Sequence, residues 1–131
     1  MGQLVERYEQ RSRLAAQRLP NRLLVEVRHG ARPHNKTGRM MGSFRTQGRY
    51  SAGVITVRLT SDALQTITTN WGARRHFIAP RQPGGVLHWR TGGVDYFSRG
   101  HWHPGNRGSG WLTRVLGNWG TMVADELRRA R

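Results

Sequence analysis

The stretch VLHWRTGGVDYF, residues 86–97, carries the clearest structural signal in the chain. Two runs rich in β-branched and aromatic residues flank the short turn TGG, and this pattern predicts a β-hairpin. The stretch GVITVRLT, residues 53–60, predicts a further strand, because Ile55, Val57 and Leu59 alternate with polar residues. Together these runs predict a small antiparallel sheet.

Two shorter apolar runs extend the strand region. ALQTITT, residues 63–69, is interpreted as a strand, although its Leu64 and Ile67 do not alternate cleanly. HFIAP, residues 76–80, is interpreted as a short strand that ends at its proline.

Helical patterns lie on both sides of these strands. Residues 3–28 repeat apolar side chains near the 3.6-residue period, and Pro20 is expected to kink this helix or to begin a second one. A broad apolar stripe over residues 110–129 predicts a C-terminal helix. The expected fold is therefore one α+β domain over residues 1–131, in which the C-terminal helix packs on the sheet.

An extended basic loop is predicted between the first helix and the strands, over residues 30–53. This segment contains five glycines and one proline, and it has no acidic residue. Loops of this length in small domains are usually functional or become ordered on binding.

The composition restricts the classes of function. Twenty-two basic residues face seven acidic ones, which gives a net charge of +15 and favours anionic partners such as nucleic acid or acidic protein surfaces. No cysteine is present, so disulfides and thiolate zinc sites are excluded. No apolar run is long enough to cross a membrane, and the first ten residues lack the apolar core of a signal peptide, so synthesis in the cytosol is expected.

The stretch HWHPGNRGSGW, residues 101–111, raises the possibility of a metal site. On a strand, His101 and His103 would point to the same side. A third ligand would have to be His76, His88 or Asp95. No HExxH, P-loop or GxGxxG motif occurs, and the few carboxylates have no suggestive spacing. We therefore expect no enzyme activity, no metal and no cofactor.

Three stretches, in this order, resemble the head–tail joining (neck or tail-completion) family of long-tailed bacteriophages: PHNKTGRMMGSF (33–44), NWGARRHFIAP (70–80) and VLHWRTGGVDYFSRGHWHPGNRGSGWLTRVL (86–116). The residues that align with the family's motif positions are Pro33, Thr37, Gly38, Met40, Ser43, Gly72, His76, Pro80, Leu87, Trp89, His103, Pro104 and Gly105. The chain departs from the family at Met40, where leucine is usual, and at Gly110-Trp111-Leu112, where Pro-Phe-Leu is usual.

The resemblance implies a structural virion protein, made in the bacterial cytoplasm, that forms a ring in the phage neck between the DNA-filled head and the tail. The implied partners are copies of itself, head-side connector or portal-associated proteins, tail tube or tail terminator proteins, and DNA in the lumen, but no membrane. One alternative is a tail terminator that caps the tail tube. Another is a nucleic-acid-binding protein, since Arg and Trp alternate in the third stretch.

Within this interpretation the basic loop makes the assembly contacts. The cationic contacts are assigned to Arg32, Lys36, Arg39, Arg45 and Arg49, and the apolar anchors to Met40, Met41 and Phe44. Structural roles are assigned to Thr37, Gly38, Gly72, His76, Pro80, Trp89, His103, Pro104 and Gly105. His-Pro-Gly is expected to form a turn, with a local hydrogen bond from His103 near His76.

Overall fold

The computed structural model describes residues 1–130 and has an α+β fold, which confirms the predicted class. The helices are α1 (Gly2–Ala31), α2 (Arg39–Ser43), α3 (Leu64–Trp71), α4 (Trp111–Gly117) and α5 (Trp119–Arg129). The strands are β1 (Arg45–Ser51), β2 (Val54–Thr60), β3 (Gly72–Ala73), β4 (His76–Ile78), β5 (Leu87–Thr91), β6 (Val94–Ser98), β7 (His101–His103) and β8 (Asn106–Arg107). They form four antiparallel pairs, β1–β2, β3–β8, β4–β7 and β5–β6, rather than one sheet.

Helix α1 packs against most of the other elements of the body, by which we mean residues 1–71 and 108–130. One stripe of its side chains, spaced three or four residues apart, is buried from Ser12 to Ala31. The helix runs through Pro20 as one element, so the alternative of a second helix beginning there is wrong. Proline has no N–H to donate, and the carbonyl four residues earlier, that of Ala16, lies against strand β1 at Gly48.

The prediction of an extended loop over residues 30–53 is wrong, because most of this segment is regular structure. It contains a 3₁₀ turn (Arg32–His34), α2 and the whole of β1, which pairs with β2. Strand β1 turns its even-numbered residues towards α1: Thr46 donates a hydrogen bond to the carbonyl of Pro20 at 2.8 Å, and Tyr50 lies under the guanidinium of Arg13. The alternation is hard to see in the sequence because the inward positions are Thr, Gly and Tyr rather than aliphatic residues.

Strand β2 confirms the alternation predicted for GVITVRLT. Ile55, Val57 and Leu59 are half-buried and pack against the core, whereas the residues between them are exposed. The core itself joins α1, α2, the β1–β2 hairpin and the C-terminal helices, and its buried members include Leu19, Leu23, Val27, Met40, Phe44, Trp111, Leu112 and Met122.

The C-terminal segment forms two helices instead of one, with α4 and α5 meeting at Asn118. Their main contacts are with α1, not with a sheet as expected. Arg22 of α1 reaches Asp125 at 3.0 Å and the buried Glu126 at 3.4 Å. Burial alone would lower the pKa of Arg22, but its hydrogen bonds to these two carboxylates outweigh that effect and raise the pKa. The ion pairs thus link α5 to α1.

The segment interpreted as the strand ALQTITT is wrong as well, because it forms helix α3. Its buried residues are Ala63, Thr66 and Asn70, whose spacing of three and four is helical. The imperfect alternation of Leu64 and Ile67 was the signal of this helix.

Residues 72–107 form a β arm that extends from the body, built from β3 to β8. The pairs β3–β8, β4–β7 and β5–β6 are nested, with β5–β6 at the tip, and the predicted hairpin and the strand in HFIAP are both confirmed. Gly92 and Gly93 close the tip with φ of 60° and 78°, the two-residue turn that suits the twist of a hairpin. No helix within residues 1–130 is long and apolar enough to cross a membrane.

Candidate assembly interface

Helix α3 is held against the body by its polar side. The Asn70 side-chain oxygen accepts the backbone N–H groups of Leu112 at 2.8 Å and Thr113 at 3.1 Å, and its amide nitrogen donates to the Thr113 hydroxyl at 3.0 Å. These N–H groups belong to the first turn of α4, where no carbonyl within the helix can accept them. Asn70 therefore caps α4 from another helix, since the residue at the cap position is Gly110.

Thr69 adds a second link between α3 and α4. Its hydroxyl accepts the indole N–H of Trp111 at 3.0 Å, and its carbonyl accepts the backbone N–H of Ser109 at 2.9 Å. Trp111 in turn packs edge-on against Phe44 in the core, with the ring centres 5.9 Å apart. Thr69 and Asn70 thus point inwards, where they accept hydrogen bonds from the first turn of α4.

The opposite face of α3 is apolar and faces away from the body. Leu64, Ile67 and Trp71, spaced three and four residues apart, keep 70%, 53% and 65% of their surface exposed. An amphipathic helix normally turns such a stripe towards its own core. Here the stripe is reversed, so we regard this outer face of α3 as a candidate interface. This outer face was not predicted from the sequence, because the segment was interpreted as a strand.

Two glycines build the base of the arm, directly after α3. Gly72 and Gly105 have φ of 88° and 82°, a region that other residues rarely adopt. A Cβ on Gly72 would lie 2.5 Å from the carbonyl oxygen of Asn106, and one on Gly105 would overlap the carbonyl oxygen of Ala73. The two chain segments can approach this closely only because both residues lack a side chain.

Two of the histidines named from the sequence, His76 and His103, belong to the same base. His76 and His103 are directly paired between β4 and β7, and their rings stack with centres 5.1 Å apart. The Nδ1 atom of His103 accepts the backbone N–H of Gly105 at 3.0 Å, which closes the His-Pro-Gly turn around Pro104. His101 packs instead against Trp89, with the ring centres 4.9 Å apart. His103 and His101 thus pack against different rings, those of His76 and Trp89.

The surface of the arm combines aromatic and cationic side chains. Phe77 packs edge-on against Trp102, and Trp89 stacks on Tyr96. All four residues nevertheless keep a large part of their surface exposed. The guanidinium of Arg75 lies 4.8 Å from the centre of the Trp102 ring. The arm carries six arginines and a single acid: Arg74, Arg75, Arg81, Arg90, Arg99 and Arg107, with Asp95.

The apolar anchors assigned from the sequence are partly wrong. Met40 and Phe44 are 2% and 1% exposed and belong to the core of their own chain, so they cannot insert into a neighbour. Met41 also packs against this core, though it is only partly buried. Met40 and Met41 lie in α2, and Phe44 directly follows it.

The cationic residues assigned to the same contacts are on the surface. All five are exposed: Arg32, Lys36, Arg39, Arg45 and Arg49. The guanidinium of Arg45 donates to the carbonyls of Gly42 and Phe44, so it also braces α2. Thr37 and Gly38 precede α2, with Gly38 at φ 80°, and Pro80 follows β4. These cations lie around α2 and β1 rather than along one mobile loop.

The most prominent surface features of the described residues are an uncovered apolar helix face and an arm with exposed aromatic side chains. Within residues 1–130 no group of three His, Cys, Asp or Glu side chains could hold a metal ion. A search of protein-family models, of curated proteins and of solved structures finds no match to this chain. What the surface can do must therefore be inferred from its own residues: an apolar helix face beside a cationic aromatic arm is suited to binding another macromolecule.

Replacing Gly105 with alanine is expected to open the base of the arm, raising amide exchange in β3 and β8 by a factor equivalent to about 2 kcal/mol. Gly93→Ala is the matched control, because Gly93 has nearly the same φ, 78°, but nothing lies within 4 Å of an added Cβ. Hydrogen–deuterium exchange measures both. Equal effects in the two variants would mean that the close approach of Gly105 to Ala73 does not hold the arm.

Proposed function

We propose that this chain is a structural virion protein that forms a ring in the neck of a long-tailed phage and joins the head to the tail. The observation that carries the proposal is the outer face of α3 together with the arm, which leave aromatic and aliphatic side chains uncovered. A small domain with such surfaces gains stability by burying them against neighbours.

The positions of the motif residues support the resemblance to the head–tail joining family. Gly72, His76, His103 and Gly105 come from stretches far apart in sequence, yet they meet at the base of the arm. Thr37 and Gly38 begin α2, beside the core residue Met40. These motif residues therefore lie where the arm and α2 join the rest of the fold.

The charge of the chain is consistent with a place near DNA. The exposed arginines of the arm and of α2–β1 face an environment that must supply negative charge, either DNA in the lumen or an acidic neighbouring ring. A ring of identical subunits repeats each cation around its axis, which would attract the DNA backbone without reading its sequence.

Two other functions share part of this support. A tail terminator would need the same uncovered surfaces and differs only in the partners that it meets. A nucleic-acid-binding protein is favoured by the exposed Trp102 beneath Arg75, since stacking aromatics among cations bind single strands. That function predicts salt-sensitive binding of DNA by the isolated chain, whereas the neck ring acts as an assembled particle.

The test is electron microscopy of the particles made when this gene is disrupted in its parent genome. The proposal predicts separate DNA-filled heads and finished tails, with joining restored when the intact gene is supplied in trans. Tails of uncontrolled length would assign the chain to the terminator instead. Normal infectious virions would overturn the proposal altogether.

A further inference from the structure

The β1–β2 hairpin has an outer face, on the side away from α1, that is polar and cationic. In the register of the two strands the odd-numbered residues of β1 lie opposite the even-numbered residues of β2, and all of them are exposed. The members of this outer hairpin face are Arg45, Gln47, Arg49, Ser51, Val54, Thr56, Arg58 and Thr60. The face thus carries three arginines and no acid.

The three arginines of this face form one short row. Arg58 lies directly opposite Gln47, and so it falls between Arg45 and Arg49 along the hairpin. Side chains on one face recur every two residues, so successive arginines are about 6.8 Å apart in the strand direction. Each strand of duplex DNA carries one phosphate per about 3.4 Å of helix axis, and two such rises equal one step of the row. The row therefore has the spacing to contact every second phosphate along a stretch of one DNA strand.

The charge of this row is not neutralised by the described part of the chain. Within residues 1–130 none of the three arginines makes an ion pair. Arg45 uses Nη1 to donate to the carbonyls of Gly42 and Phe44, which does not reduce its charge. The nearest acid in the sequence, Asp62, follows β2 at the Arg45 end of the row. The row therefore attracts an anion from outside the chain.

The other residues of the face favour DNA over an acidic protein as that anion. Besides arginine the face presents serine, threonine and glutamine, the side chains that hydrogen-bond to DNA phosphates. A protein interface would place aromatic or aliphatic residues at its centre, whereas the one apolar member, Val54, lies at the turn end. The face also has no aromatic ring on which the bases of a single strand could stack. Its chemistry thus fits the backbone of a duplex.

We infer that the outer hairpin face binds the phosphate backbone of duplex DNA through Arg45, Arg49 and Arg58, without reading the base sequence. The inference rests on the proposed function, in which DNA passes through the lumen of a ring, and this face of each copy then lines the lumen. One copy supplies three cationic contacts and binds weakly. A ring repeats the row around its axis, so the contacts of its copies act together on one duplex.

The test removes two of the three cations and measures the salt dependence of DNA binding. The double variant Arg49→Gln/Arg58→Gln spares Arg45, which also braces α2. Fluorescence anisotropy gives the affinity of the chain for a short labelled duplex between about 50 and 200 mM salt. The slope of log affinity against log salt should become shallower by about 1.8, because two phosphate contacts are lost. A second duplex of unrelated sequence should show the same change, since no base is read.

Arg7→Gln/Arg11→Gln is the matched control, because it removes the same charge from the exposed start of α1. Its slope should equal that of the wild-type chain, and circular dichroism confirms that both variants remain folded. Equal changes in the two variants would overturn the inference, since binding would follow net charge alone. So would a wild-type chain that binds no duplex at the lowest salt, or binding of single strands only, unchanged by Arg49→Gln/Arg58→Gln, which would point to the aromatic arm. None of these results decides the proposed neck function, which the particles made without the gene test separately.

Discussion

Replacing Asn70 with alanine is expected to lower the free energy of unfolding by about 3 kcal/mol. Two backbone N–H groups at the start of α4 lose their acceptor, and the one from Leu112 is buried. Water cannot easily replace the lost bond there, so its full desolvation cost is felt. Chemical denaturation followed by circular dichroism measures the loss.

Asn70→Asp is the matched control for this cap. A carboxylate can still accept both N–H groups and is favoured at the N-terminus of a helix, and the Thr113 hydroxyl can donate to it in place of accepting. The expected loss is about 1 kcal/mol. If alanine and aspartate cost the same, the side-chain oxygen of Asn70 is not the stabilising group.

Asn70 also shows why the candidate interface could not be predicted from the sequence. The segment 63–69 alternates poorly, and a short apolar run is ambiguous between strand and helix. Even with α3 assigned as a helix, pattern alone would turn Leu64, Ile67 and Trp71 towards the core. They face outwards because Asn70 and Thr69 are needed by α4, some forty residues away, and no local signal carries that requirement.

The tip and base of the arm were more predictable, because their rules are local. A two-residue turn between alternating runs predicts the hairpin at Gly92 and Gly93, and Pro104-Gly105 favours a turn because proline restricts φ and glycine accepts a positive φ. The pairing of His103 with His76 follows once β4 and β7 are joined in register. Local turn chemistry thus predicted geometry, while the resemblance alone suggested what the geometry is for.

The loop predicted over residues 30–53 was wrong because its local signal, a high glycine content, does not distinguish a loop from a strand that another backbone approaches closely. Glycines at 30, 38, 42, 48 and 53 indicated a loop, yet Gly48 lies in the middle of β1. Glycine in a strand usually marks a bulge or a close approach of another backbone, and only the folded chain shows which. Met40 and Phe44 were interpreted as anchors for a neighbour, whereas they belong to the core of their own chain.

Gly48 carries the second large effect: Gly48→Ala is expected to cost about 3 kcal/mol of the free energy of unfolding, as overpacking against rigid atoms does. An added Cβ would lie 2.6 Å from the carbonyl oxygen of Ala16 and 2.6 Å from Cγ of Pro20. Neither atom can move aside, because one is helix backbone and the other belongs to a ring. The strand must retreat from α1 and take its partner Val57 out of contact with the core.

Gly42→Ala separates this steric cost from the general effect of adding a methyl group. Gly42 lies in α2 with nothing within 4 Å of an added Cβ, so alanine there should be neutral or stabilise the fold by about 0.5–1 kcal/mol through helix propensity. Denaturation of both variants under one set of conditions measures the difference. A loss below about 1 kcal/mol for Gly48→Ala would mean that β1 does not rest on the proline turn of α1, because overpacking at so close a contact costs more. The hairpin's attachment to α1 would then have to come from Thr46, Tyr50 and the apolar face of β2 alone.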